Sequence, residues 1–358
     1  MPDTVSKIAV SAEYPVYDLN QNKIVPAFLD LVLRCDYFKK VLDGLAHGGG
    51  TKTRIHPEQL EAMKIPLPPI AVQKTIINRW QTAIAEAARA EAQAAQLEKQ
   101  AQTDFLHALG LRAAEELKPH RAFAVHWSNI GRWGAALNQT DGRLNVADGT
   151  YPVARLADLI ADLENGWSPK CLDRPAEKDE WSVLKLGAVS FGTFNPRQNK
   201  ALPATLKPEP RIEVKPGDWL MSRANIARLV GACALVQKDV PARLMLCDKI
   251  FRALWQRDQE TIALPAYLDA TLKIPHLRQQ IESALTGTSP TMKNISKPSL
   301  LALRLPPVDV QKYLVQHLDA AQQSARSHRA RASQLRAIAK RETEAVLLGQ
   351  ALPEAEAA

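Results

Sequence analysis

The chain carries two copies of one module, and no other feature of its sequence narrows the possible folds as much. "PAFLDLVLRCDYFKK" from Pro26 is answered by "PAYLDATLKIPHLRQ" from Pro265, with Pro, Ala, an aromatic, Leu and Asp in the same order. Leu33 then matches Leu272. Further on, "TRIHPEQLEAMKIPLPPIAVQK" (Thr53 to Lys74) is matched by "KNISKPSLLALRLPPVDVQK" (Lys293 to Lys312), with Pro-Pro-x-x-Val-Gln-Lys common to both. A repeat of this length means one supersecondary unit used twice.

After each Pro-Pro the sequence turns helical. The first run, Val72 to about Leu109, and the second, Asp309 to about Leu348, are rich in Ala, Gln and Glu. Reading three and four residues apart gives Ile76, Trp80, Ala83, Ala87, Ala90, Ala94, Leu97 and Ala101 in the first. The second gives Leu314, Leu318, Ala321, Ala325, His328, Ala332, Leu335 and Ala339, the same register. Both are heptad seams. At ~1.5 Å per residue each run predicts a rod of roughly 55–60 Å. Small Ala side chains permit close approach, so the rods are expected to pair antiparallel. The other reading lays each helix separately on a globular domain. Pro suits a helix's first turn, so each Pro-Pro is expected to fix helix entry.

Between the rods the composition changes to Gly, Pro and short apolar runs. "WSVLKLGAVS" (Trp181 to Ser190), "RIEVKPGDWLMSRAN" (Arg211 to Asn225), "LVGACALV" (Leu229 to Val236) and "KIFRALW" (Lys249 to Trp255) read as strands separated by turns. This predicts an α+β domain with a twisted, mostly antiparallel sheet. The expected organisation is 1–70, a C-terminal remnant of a first globular domain; 71–118, a long helix; 119–307, a complete globular domain; 308–350, a second long helix; and 351–358, a flexible tail. The first copy has few residues before Pro26, so the chain reads as starting partway through its first domain, Val10 to Tyr17 aligning loosely with Cys247 to Leu254.

Several function classes fall away. Apolar residues make up 46% and charged residues 23%, ordinary for a globular protein. No run approaches the ~20 uncharged apolar residues of a membrane helix, and the N-terminus lacks a secretory pattern. The four cysteines (Cys35, Cys171, Cys233, Cys247) are scattered without metal or disulfide spacing, which fits a cytoplasmic location. Phosphate-binding GxxxxGK[ST], dinucleotide GxGxxG, HExxH and GxSxG strings are absent. Glu213-Val214-Lys215 resembles the end of a metal-dependent nuclease site, without a convincing upstream carboxylate; its other reading is an exposed strand edge.

The net charge of +8 points toward a polyanion. In "GDWLMSRAN" a turn delivers a short strand whose end presents Ser222, Arg223 and Asn225. Arg reads guanine bidentately, Asn reads adenine, and Ser suits phosphate. For isolated residues of this kind the commoner role is that Arg223 and Asn225 support a turn beside the sheet. "NGWSPK" (Ser168, Lys170), "FNPRQNK" (Arg197, Asn199, Lys200), "LTGTSPTMKN" (Thr288, Ser289, Thr291, Lys293) and "HGGGTKTR" (Thr51, Lys52, Arg54) are polar loops carrying a cation, which suit phosphate oxygens or ordinary solvated turns. Lys185 and Lys249 flank strands in the same region. These residues form the candidate DNA-contacting set.

The same strings carry a family resemblance. "IPLPPIAVQK" (Ile65 to Lys74) and "LPPVDVQK" (Leu305 to Lys312), with "GWSPK", "VLKLGAVSFGTFNPRQNKAL", "GDWLMSRAN" and "LVGACALV", resemble the specificity (S) subunits of type I DNA restriction–modification systems. The resemblance implies target recognition domains joined by two long helices that form an antiparallel coiled-coil spacer, a ruler between the two halves of a target. It implies a non-catalytic subunit that binds double-stranded DNA sequence-specifically. Methyltransferase (M) subunits would modify adenine and restriction/motor (R) subunits would cleave. S-adenosylmethionine, ATP and Mg²⁺ would reside on those partners, with no cofactor on this chain. The helices would dock the methyltransferase, the second carrying Arg326, Arg329, Arg331, Arg336, Lys340 and Arg341. The short first domain departs from the family pattern, and implies an N-terminally truncated product, another chain that supplies the rest, or a second copy. The alternatives are an autonomous or fused restriction nuclease, and a coiled-coil assembly protein that reads no DNA sequence.

Overall fold

The computed structural model describes residues 16–45, 55–112, 146–256, 262–287, 289, 292–296 and 301–350. The helices are α1 (Pro26–Arg34), α2 (Asp36–Leu45), α3 (Pro57–Glu61), α4 (Ile70–Ala108), α5 (Pro265–Thr271), α6 (Pro275–Ser283) and α7 (Val308–Leu347). The strands are short. They are β1 (Val153–Arg155), β2 (Ile160–Asn165), β3 (Ser182–Leu184), β4 (Val189–Ser190), β5 (Thr193–Phe194), β6 (Asn199–Ala201) and β7 (Trp219–Ser222). β8 (Ala224–Asn225), β9 (Cys233–Leu235), β10 (Leu244–Met245), β11 (Ile250–Trp255), β12 (Leu285–Thr286), β13 (Lys293–Ile295) and β14 (Ala302–Arg304) complete them. Two compact units result, one from Met1–Leu97 with Gln323–Ala358, the other Glu98–Gln322.

In the first unit α1 and α2 bury Phe28, Leu31, Val32 and Phe38 in one cluster with Ile76, Ile77 and Leu347. Farther along, Ala87 and Ala90 of α4 meet Ala332 of α7. Residue numbers rise along one helix as they fall along the other, so the two segments run antiparallel. The seam read from the sequence is the buried one. Ile76, Ala87, Ala90, Ala94, Ala101, Leu314, Ala325, Ala332 and Ala339 are buried, and the other seam positions are half-buried. This excludes separate helices within this unit. Arg336 adds a two-pronged ion pair to Glu91, at 2.5 and 2.9 Å, and Lys340 reaches Asp36 at 2.7 Å. These pairs are exposed and contribute little beyond orientation.

The second unit is built on the antiparallel sheet β2-β11-β7-β9. Successive side chains point to opposite faces of a strand. Trp219, Met221, Phe251 and Ala253 therefore share a core with Tyr267, Leu268, Leu277 and Ile281 of α5 and α6. Leu220, Ala234 and Ile250 enter a second core with Val183, Leu184 and Leu244. The sequence suggested one sheet; the structure has several small ones, β10 with β3 being the parallel pair among the described strands. Pro203, Pro208, Pro210 and Pro216 break the ladders by removing donors and fixing φ. Within Arg211 to Asn225, a 3-10 turn at Pro210–Ile212 leads into Glu213, which is extended and bridged to Met245. The chain then turns at Gly217 (φ 87°), where Pro216-Gly217-Asp218 signals a turn in the sequence, and forms β7 from Trp219.

Each long helix begins directly after its Pro-Pro, at Ile70 and Val308. The glutamine that follows does the joining. Gln73 accepts a hydrogen bond from Val25 N at 2.8 Å and donates to the carbonyls of Lys23 and Pro68 at 2.9 and 2.8 Å. Gln311 accepts from Leu264 N at 2.9 Å and donates to Ile262 and Pro306, both at 2.8 Å. Both glutamines are fully buried. Each helix start is thus clamped to the segment leading into its own module's first helix. The far ends also match. Gly110 (φ 72°) and Gly349 (φ 77°) adopt the left-handed conformation, with Leu111 N bonding Leu106 O and Gln350 N bonding Ala345 O, both at 2.9 Å. This is the glycine cap that satisfies the last helical carbonyls.

Candidate nucleic-acid interface

The site lies in the second unit, where β7 gives way to β8. Arg223 sits at the step between them. Its N–H donates to Lys249 O at 2.8 Å and its carbonyl accepts from Ile295 N at 3.0 Å, so backbone on both sides holds it. One donor of its guanidinium reaches Asp248 O at 3.3 Å, and the group lies 5.5 Å from the Phe251 ring centroid. Guanidinium carries five N–H donors, so most of its hydrogen-bonding capacity is left over.

Asp248, which the sequence reading missed, organises the neighbourhood. One carboxylate oxygen accepts from the Ser168 hydroxyl, the other pairs with Lys249 Nζ at 2.9 Å, and Asp248 N returns a bond to Ser168 Oγ at 3.2 Å. Burial opposes its ionisation, but the bonds from Ser168 and Lys249 outweigh that and hold its carboxyl below the usual range. Ser168, Lys249 and Arg223, which are far apart in sequence, are therefore brought together. β13 adds Lys293, paired across from Asn225 in antiparallel register, with its ammonium on Gly287 O at 2.7 Å.

Two of the proposed readers point inward. Ser222 is fully buried, and Asn225 is buried with its amide nitrogen on Ser222 Oγ at 3.4 Å and its oxygen taken by Ile226 N at 2.9 Å. A second group gathers around β3 and β6. There Asn199 is occupied by Ala176 N and Pro196 O, at 2.9 and 2.8 Å, and Lys200 pairs with Asp173 at 2.7 Å. Lys185 and Arg197 beside them are exposed. Lys170 is exposed with no ion pair among the described residues, and Ser289 is exposed. Thr51, Lys52, Arg54, Thr288 and Thr291 lie outside the described residues.

The Glu213–Lys215 pair is self-contained. Glu213 accepts from Lys215 Nζ and from Arg243 N, both at 2.6 Å, which holds its carboxyl below the usual range. No group of three His, Cys, Asp or Glu side chains suited to a metal ion occurs among the described residues. The buried charge belongs to the scaffold. Arg252, 8% exposed, binds Glu164, Asp218 at 3.2 Å, and the carbonyls of Glu213 and Arg211, both at 2.8 Å. It shares the inner face of β11 with Ile250, and these partners offset the cost of burying its charge. A charge inside the apolar run "KIFRALW" was the available signal.

No protein-family model matches the chain. It is 32% identical over 168 residues to the EcoEI type I restriction enzyme specificity subunit of Escherichia coli, covering 46% of this chain and 28% of that protein. It is 23% identical over 300 residues to the EcoKI specificity subunit of Escherichia coli strain K12, covering 83% of this chain and 58% of that one. The chain therefore spans less than two thirds of either relative. Among solved structures, the HsdS subunit of Thermoanaerobacter tengcongensis aligns over 93% of this chain at 17% identity, TM-score 0.41. The S subunit of a type I restriction–modification system from M. genitalium aligns over 92% at 11% identity, TM-score 0.47. By sequence, the chain is similar to specificity subunits of type I restriction enzymes.

Proposed function

We infer that this chain selects the DNA sequence on which a type I restriction–modification complex acts, through base and phosphate contacts centred on Arg223. The observation that carries the reading is the 32% identity with the EcoEI specificity subunit over 168 residues. The site is chemically suited to it. Arg223 is backbone-held with free donors, the arrangement for bidentate contact with guanine. Exposed Lys170, Lys185 and Arg197 offer cations for phosphate, which position a protein on the duplex without reading sequence, while the Ser168 hydroxyl is spent on Asp248. In this reading methyltransferase subunits modify adenine and restriction subunits cleave, and S-adenosylmethionine, ATP and Mg²⁺ are held by those partners. In this reading the complex acts in the cytoplasm.

Selection from a pool of randomised duplexes tests this. The chain together with its methyltransferase subunit should enrich one sequence motif over successive rounds, and the methyltransferase subunit alone should not. A pool that stays random, or a motif enriched equally without the chain, contradicts the reading.

A further inference from the structure

Asp248 is fastened from both sides. Gly166 N and Trp167 N donate to the Cys247 and Leu246 carbonyls at 3.2 and 3.1 Å, and a side chain at Gly166 would overlap the Leu246 carbonyl. On the other side Arg223 N and Ala224 N donate to Lys249 O at 2.8 and 3.3 Å. The backbone of Asp248 is spent as well, its N–H on Ser168 Oγ and its carbonyl on the Arg223 guanidinium. Its side chain therefore leaves a rigid frame, as that of Arg223 does.

The frame does not consume the carboxylate. Among the described residues each oxygen has one partner, Ser168 Oγ for one and Lys249 Nζ for the other, whereas an ionised carboxylate offers about four acceptor sites. The side chain is 35% exposed. What such an acceptor can meet on a duplex is restricted. Phosphate repels it, and guanine and thymine turn acceptors toward the major groove. Adenine sets its N7 acceptor beside its amino group, against the second carboxylate oxygen. Cytosine presents an amino donor alone.

We propose that Asp248 is a second base reader, accepting a hydrogen bond from the N4 amino group of a cytosine in the base pair next to the guanine taken by Arg223. The inference rests on the recognition reading above. A donor fork and an acceptor then stand side by side on one frame, and Lys249 balances the carboxylate's charge near the DNA backbone.

Selection from randomised duplexes, with the methyltransferase subunit present, is repeated with the wild-type chain, Arg223→Ala, Asp248→Ala and Asp248→Asn. Asp248→Ala should lower a cytosine preference about tenfold or more at one base pair, separate from the one that Arg223→Ala relaxes. Its affinity for a scrambled duplex should hold or rise, because a negative charge has gone. Asp248→Asn keeps the shape of the side chain and should shift the same position toward adenine, which an amide reads. The DNA gives an independent arm, since N4-methylcytosine replaces the groove-facing amino proton with a methyl group. At that one cytosine it should weaken wild-type binding by a like factor and weaken Asp248→Ala no further. A wild-type motif without a cytosine that depends on Asp248 overturns this inference alone. So does an Asp248→Ala protein that relaxes the same base pair as Arg223→Ala, which would make Asp248 a brace for that arginine. A pool that stays random with the wild-type chain removes the recognition reading, and this inference with it.

Discussion

Replacing Gln311 with Ala removes one acceptor and two donated bonds from a fully buried site. A hydrogen bond contributes a net ~1 kcal/mol, so three imply a loss of about 3 kcal/mol, with the stranded Leu264 N–H pushing it higher. For a unit of this size that corresponds to a fall in Tm of roughly 6–12 °C. Gln311→Glu should cost at least as much, because it removes both donors and turns a carboxylate oxygen toward the Ile262 and Pro306 carbonyls. Urea denaturation followed by circular dichroism measures the loss. Gln316→Ala, on the exposed face of the same helix, serves as control and should stay within about 0.5 kcal/mol of wild type. Gln73→Ala should repeat the result in the first module. If Gln311→Ala behaves like Gln316→Ala, the glutamine clamp does not hold the helix to its module.

Other perturbations separate the remaining parts. Ala87→Phe forces a large ring into the contact with Ala332 and should cost ~1–3 kcal/mol by denaturation; unchanged stability would mean the helices do not pack there. Arg252→Met takes from the half-buried Glu164 and Asp218 carboxylates the guanidinium they share, and should cost ~3–5 kcal/mol, partly recovered by adding Glu164→Gln. Burial pushes the His276 imidazole below its ordinary pKa, partly countered by Asp148. The unfolded chain therefore takes up a proton at about 6.5 that the folded chain refuses, and stability falls as pH drops below that value. His276→Leu should flatten the dependence between pH 7.5 and 5.5, and an unaltered slope would assign it to another group.

The helices were legible because their signals are local. The Ala seam repeats every three to four residues, and Pro-Pro sits at each helix start. The repeated Gln was visible as well, but its meaning was not, because its partners Val25 and Leu264 belong to segments some fifty residues away. The sheet was read less well. Prolines divide the central region into strands of two to six residues, too short for alternation to define register. The same distance effect governs the site. Arg223 stood out from its turn, whereas Asp248 acquires its importance only from Ser168, eighty positions earlier. Ser222 and Asn225 looked alike available from sequence, and only the burial of β7 and β8 distinguishes them from Arg223.

The most direct test of the recognition account is a salt-dependent binding titration of Arg223→Ala and Lys170→Ala, each with the methyltransferase subunit, on the selected duplex and a scrambled one. A lost base contact should cost ~1–3 kcal/mol on the target alone and relax preference at one position, whereas a lost phosphate contact should weaken both duplexes and shallow the salt slope by about one. Arg223→Ala is predicted to behave in the first way and Lys170→Ala in the second, with Lys293→Ala following Lys170. An Arg223→Ala protein that melts earlier yet discriminates the two duplexes as wild type does would contradict the account.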